Sequence, residues 1–104
     1  MRMFVMFNLK PGVEVADYEE WTKTRDMPNV RSLMSIKDFR VFGVTGLFGS
    51  DAKPPFQYVE VIDIVEIDEF LKDIDTPAMK EVTGEFEKWT DSPVFLTTNE
   101  LLVA

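Results

Sequence analysis

MRMFVMFNLKPGVEVADYEEW, residues 1–21, runs a β-rich strand through a Pro-Gly turn into an acid-capped amphipathic helix; FQYVEVIDIVEIDEF, residues 56–70, repeats that strand-to-helix plan. In the first strand Met3, Val5 and Phe7 alternate with Phe4 and Met6, and in the later one Val59 and Val61 alternate with Tyr58 and Ile62. Both phases are therefore apolar, apart from a few polar residues such as Asn8, Glu60 and Asp63. A sheet built from such strands needs cover on both faces, because a bare apolar face would be a large sticky patch. Helices are expected to cover one face and a second copy of the chain the other.

Outward from these stretches the remaining elements fall into order. Met3–Asn8 ends at LKPG, where Pro11-Gly12 forces a turn. The first helix is expected from about Val15 to Thr24, with Tyr18, Trp21 and Arg25 on one stripe and Asp17, Glu19 and Glu20 near its positive N-terminus. RDMPNVRSL, residues 25–33, predicts a break and a short second helix, since Asp26 precedes Pro28 near a first turn. Ile36–Thr45 and Phe56–Ile64 read as the second and third strands, joined by the Gly- and Pro-containing loop Gly46–Pro55, which carries Leu47 and Phe48. Ile67, Phe70, Leu71 and Ile74 have helical spacing, and Thr76-Pro77 opens another helix with Met79, Val82, Phe86 and Trp89 as its buried stripe. Asp91-Ser92-Pro93 is expected to end that helix, and Val94–Val103 to form a fourth strand.

The order β-α-β-β-α-β is that of the split βαβ, or ferredoxin-like, unit. The expectation is an α+β fold, with a four-stranded antiparallel sheet carrying helices on one face. One domain is expected over residues 1–104. Two copies are expected to meet sheet to sheet as a dimeric α/β barrel.

Composition narrows the chemistry. Nineteen acids against eleven bases give a formal charge of −8, which opposes nucleic acid as a partner. The acids sit mostly on helix faces and in turns, where they serve solubility. With no cysteine, disulfides, thiolate nucleophiles and iron–sulfur ligation are excluded; with no histidine, the usual neutral-pH proton shuttle and the commonest metal ligand are missing. No metal and no cofactor is expected, so any catalysis would fall to carboxylates, Tyr, Lys, Arg or amides. No run of eighteen apolar residues and no signal peptide is seen, so a soluble, cytoplasmic protein without a membrane partner is expected.

FVMFNLKPG, DYEEW, VTGLFG, YVEVID, DTPAMKEV and DSPVF, in that order between about Phe4 and Thr97, resemble the REDY-like/HapK family of small dimeric α/β-barrel proteins. NLKPG alone would be a weak signal; the ordered set at matching spacing is specific. The resemblance implies the dimeric barrel and a setting in bacterial secondary metabolism, including prodigiosin-type pathways, where indole or pyrrole intermediates are handled. It leaves the reaction open. Glu14-Val15 stands where an Asp-Pro helix start is expected, a departure that touches only the cap.

Glu60 is the leading candidate for chemistry. Mid-strand among apolar neighbours, its carboxylate would be desolvated and its pKa raised, which suits a general acid or base near neutral pH. The structural alternative is a cross-strand pair: with the hairpin loop centred near Ser50–Asp51, Arg40 is expected opposite Glu60 on the same sheet face. Asn8 would either hold a polar group of a substrate or cap the turn at Lys10-Pro11-Gly12. Tyr58 would donate a hydrogen bond to substrate or pack as a cross-strand aromatic. Tyr18, Trp21, Phe86 and Trp89 would line a cleft suited to stacking a flat heteroaromatic ligand, or form plain core. Arg25 and Arg31 would bind an acidic group or be solvated or ion-paired. Gly84, inside a helix, is either a point of close approach for a ligand or partner or a tolerated defect. The Gly46–Pro55 loop would be a lid or a clamp on the dimer mate.

The resulting expectation is a cofactor-free biosynthetic protein that binds a small aromatic molecule between helices and sheet. As an enzyme it would work by acid–base chemistry, with Glu60 moving a proton, Asn8 and Tyr58 orienting the substrate and Arg40 tuning Glu60. The alternatives are a non-catalytic protein that shields a reactive intermediate and, by fold analogy, a cofactor-free monooxygenase.

Overall fold

The β-branched and aromatic runs form four strands: β1 (Arg2–Leu9), β2 (Ile36–Gly43), β3 (Tyr58–Ile64) and β4 (Thr90–Thr97). They form one antiparallel sheet in the order β2-β3-β1-β4, the ferredoxin-like arrangement with the first and third strands at the centre. The computed structural model describes residues 1–103. Register sorts the side chains by parity. Val5, Phe7, Phe39, Tyr58, Ile62 and Ile64 are buried on the inner face, together with Tyr18, Phe70 and Phe86 from the helices. Phe4, Met6, Phe42, Val59, Val94 and Leu96 lie on the outer face, where Phe42, Val94 and Leu96 remain well exposed. That face is largely apolar and no described helix covers it, as the two-phase strand pattern requires.

The helical layer comprises α1 (Val15–Trp21), α2 (Met27–Arg31), α3 (Ile67–Ile74) and α4 (Pro77–Trp89). Thr76 caps α4, its hydroxyl accepting from the Met79 N–H at 3.3 Å, one residue before the first-turn proline. No described helix is long and apolar enough to cross a membrane.

Three expectations need correction. The predicted break near Pro28 is absent: a single π turn, Thr22–Asp26, joins α1 to α2 without interruption. Pro28 has no N–H, and the widened turn, in which the Met27 N–H reaches back to the Thr22 carbonyl, lets the helix pass the ring. The fourth strand begins four residues earlier than expected and ends at Thr97 rather than Val103. Asp91-Ser92-Pro93 lies inside it as a bulge: Met6 pairs with Val94 while Asn8 pairs with Asp91, so β4 carries one extra residue. Ser92, at φ 46°, takes the left-handed conformation that absorbs it. Finally, Gly43 pairs with Tyr58, so the β2–β3 hairpin pivots between Ser50 and Asp51. Val41, not Arg40, is then opposite Glu60; a pivot on Ser50 itself would have been needed for the Arg40 pair.

Gly84 makes no close approach to the rest of the chain, since an added Cβ would meet nothing within 4 Å. Gly84→Ala is therefore expected to raise stability in urea by about 0.5–1 kcal/mol. Phe7→Ala, which empties the centre of the inner face, is expected to lower it by about 3–5 kcal/mol.

Candidate active site

Glu60 occupies the middle of β3 with Val5 on one side and Val41 on the other, and it is only 4% exposed. Its Oε2 is buried without a hydrogen-bond partner. From the helical layer the π turn brings a second acid inward: Asp26 is 5% exposed, and Thr22, one turn earlier, donates to its Oδ2 at 3.4 Å. Both acids line a cavity of about 310 Å³ between the sheet and α2, α3 and α4. The rest of its wall is apolar apart from Thr83, with Phe39, Ile62, Phe70, Val82 and Phe86 contributing.

The electrostatics follow from that placement. Burial, reinforced by the negative charge of Asp26, pushes the Glu60 carboxyl well above the usual carboxylate range. Burial pushes Asp26 up to about 6, against the opposing hydrogen bond from Thr22. The Tyr18 hydroxyl, buried and unpartnered, is pushed up by burial and by the nearby charge of Glu60. Two acids thus meet on the wall of an apolar cavity, with the Thr22 and Tyr18 hydroxyls buried beside them. Such a group can hold a proton at neutral pH and pass it on.

A wider groove of about 930 Å³ lies at the far end of the sheet, lined by Met1, Arg2, Asp63, Asn99 and Glu100 among others. Arg2 donates to Asp63 at 2.7 Å, which holds that carboxyl below its usual range. None of the described residues lining that groove is a buried acid comparable to Glu60.

Of the residues expected at the site, Glu60 and Phe86 line the cavity and the others do not. Arg40 points to the opposite sheet face, pairing with Asp38 at 2.9 Å beneath a cation–π contact with Phe42. Asn8 uses both ends of its amide on the loop before β3: it donates to the Pro55 carbonyl and accepts from the Gln57 N–H, each at 3.0 Å. The Tyr58 hydroxyl donates to Glu19 at 2.8 Å while its ring stacks on Phe7. Burial and that hydrogen bond push the phenol up. Tyr18, Trp21 and Trp89 pack together as an aromatic cluster continuous with Phe7 and Phe86. Arg25 makes a two-pronged contact with Glu85, which also accepts from the Trp21 indole at 2.8 Å. Arg31 donates to the Phe39 carbonyl.

Asp26 was not singled out as a site residue. In sequence it reads as a capping residue before a proline, and only the π turn rotates it beneath the sheet.

The family model described as REDY-like protein HapK matches residues 1–101. HapK from Hahella chejuensis is 20% identical, with 100% of this chain and 98% of that one covered and a TM-score of 0.72. The hydroxynitrile lyase of Passiflora edulis is 18% identical over 98% of this chain and 95% of the lyase, with a TM-score of 0.79. A dimeric ferredoxin-like protein of unknown function from Thermobifida fusca is 17% identical over 91% of this chain and 85% of its own, with a TM-score of 0.68. No curated protein matches.

Raised carboxyl pKa values mean that the folded chain binds protons more tightly than the unfolded one, so stability falls as pH rises. This contribution is complete below the unfolded carboxyl range, roughly pH 4, and the share of Asp26 is lost as pH passes its folded value of about 6. Asp26→Asn should remove a pH-dependent loss on the order of 2–3 kcal/mol. Urea unfolding midpoints between pH 4 and 8 are expected to slope downward less steeply in the variant than in the parent.

Proposed function

The chain belongs to the REDY-like HapK family, and from that membership and the buried acid pair we propose a cofactor-free acid–base enzyme of bacterial secondary metabolism. Its substrate is a small aromatic intermediate, of indole or pyrrole type, held in the cavity between sheet and helices. The observation that carries this reading is Glu60: a carboxyl almost wholly buried, one oxygen unpartnered, at the polar end of an apolar chamber. A purely structural acid would be expected to have a cation opposite it, and the register gives Glu60 two valines instead.

In this mechanism Glu60 gives or takes the proton at the substrate. Asp26, with a pKa of about 6, sets the charge felt by Glu60: while ionised it favours the protonated Glu60, so that Glu60 regains a proton it has given up. Phe86 and Phe39 bound the ring, and the chamber's volume suits one small ring system, at the low end of the roughly 300–1,000 Å³ typical of ligand pockets. The similarity to a hydroxynitrile lyase supports reading this fold as one that carries enzyme chemistry. A role in which the protein only shields an intermediate would use the same chamber but would not need an unpartnered acid within it.

The active form is proposed to be a homodimer joined through the outer sheet face, with Phe42, at 46% exposed, and Leu96 among the residues it covers. The similarity to a dimeric ferredoxin-like protein supports it.

Carboxyl-carbon NMR titration of Glu60 tests the acid–base reading. A midpoint well above roughly 4.3 is expected, and one at or below that value would overturn it. For the dimer, light scattering of the parent should give twice the chain mass, and Phe42→Lys should halve it without loss of circular dichroism. A monomeric parent would refute the sheet-to-sheet pairing.

A further inference from the structure

Resting on the cavity proposed above as the ligand site, we propose that it selects by charge, taking an aromatic body that bears a single cationic amine and rejecting one that bears a carboxylate. Asp26 and Glu60 are the ionisable side chains of its wall, and no Lys or Arg lines it among the described residues. The arginines nearest in sequence are committed elsewhere. Arg25 is bound to Glu85 and Arg31 to the Phe39 carbonyl, while Arg40 faces away across the sheet. The other polar groups beside the acids, the Tyr18 and Thr22 hydroxyls, carry no charge at neutral pH.

The acid pair, sharing one proton, keeps a single negative charge that no Lys or Arg of the cavity wall meets among the described residues. On side chains this deeply buried, with apolar neighbours on several sides, that charge attracts a cation and repels an anion more strongly than at the surface. An ammonium group would also supply what Glu60 Oε2 lacks, a hydrogen-bond donor in a buried place. The fit is one-sided: an apolar wall for the ring, acceptors for the amine, and among the described residues no Lys or Arg to receive a carboxylate.

Three probes with the same ring system separate the cases: tryptamine as cation, tryptophol as neutral alcohol and indole-3-acetate as anion. Calorimetry at pH 7 gives their affinities, and labelled Ile62 and Val82 methyls report where they bind. Tryptamine is expected to bind at least about tenfold tighter than tryptophol, the difference between a charged and a neutral hydrogen bond. Indole-3-acetate is expected to bind weakest. Asp26→Asn should narrow the gap between tryptamine and tryptophol; should that variant misfold, the same gap measured on the parent should shrink between pH 7 and pH 5, as Asp26 takes up its proton at about 6.

Equal binding of all three probes, with the Ile62 and Val82 methyls shifted, would overturn charge selection while leaving the cavity as a ligand site. Tighter binding of indole-3-acetate would overturn it too. Failure of every probe to shift those methyls would remove the site and the inference together.

Discussion

A carboxyl group buried on the central strand of a small sheet, with a valine on either side, is the constraint around which the rest of this molecule is arranged. The group cannot ionise freely there, and the register supplies no cation to help it. It can be tolerated by holding its proton and by facing a space that is not completely filled. The inner face is divided accordingly. Phe7, Tyr18, Tyr58 and Phe86 fill one half with edge-on and stacked rings, and the other half, under α2, α3 and α4, is left open as the cavity.

The π turn is the second half of that arrangement. A regular helix through residues 22–26 would place Asp26 differently around the axis; the extra residue in the turn rotates it inward, where it stands close enough to raise the Glu60 pKa. The segment is held in place by a side-chain clamp. Glu85 on α4 takes the Trp21 indole and the Arg25 guanidinium together, and their proton donation holds its own carboxyl below the usual range. One salt-bridged acid at the edge of the helical layer thus braces the segment that carries Asp26, while the sheet register places Glu60.

Much of this was legible in the residues. Strand parity, helix stripes, the Thr76-Pro77 start and the ferredoxin-like order are local patterns, and each is reproduced, because period-2 and period-3.6 spacing survive without tertiary information. The burial of Glu60 was also legible, since an acid among β-branched neighbours has few other fates. What failed depended on half-residue geometry. Arg40 misses Glu60 because the hairpin pivots between two residues rather than on one. Asp26 was invisible because a π turn has no sequence signature beyond a nearby proline. The Asp91-Ser92-Pro93 segment, which looks like a helix stop and a linker, is a strand with a bulge, an outcome decided by pairing with β1.

That bulge shapes one of the two edges of the sheet. β4 is an edge strand, and a row of free amides along an edge is a template on which any extended chain can lay itself. Pro93 offers no amide, and Ser92, turned into the left-handed region, bends the row out of line. Growth of the sheet sideways into fibres is interrupted at that point. The apolar outer face has no such guard, and a partner laid on it would meet side chains rather than a row of amides, so that contact there would not extend the sheet.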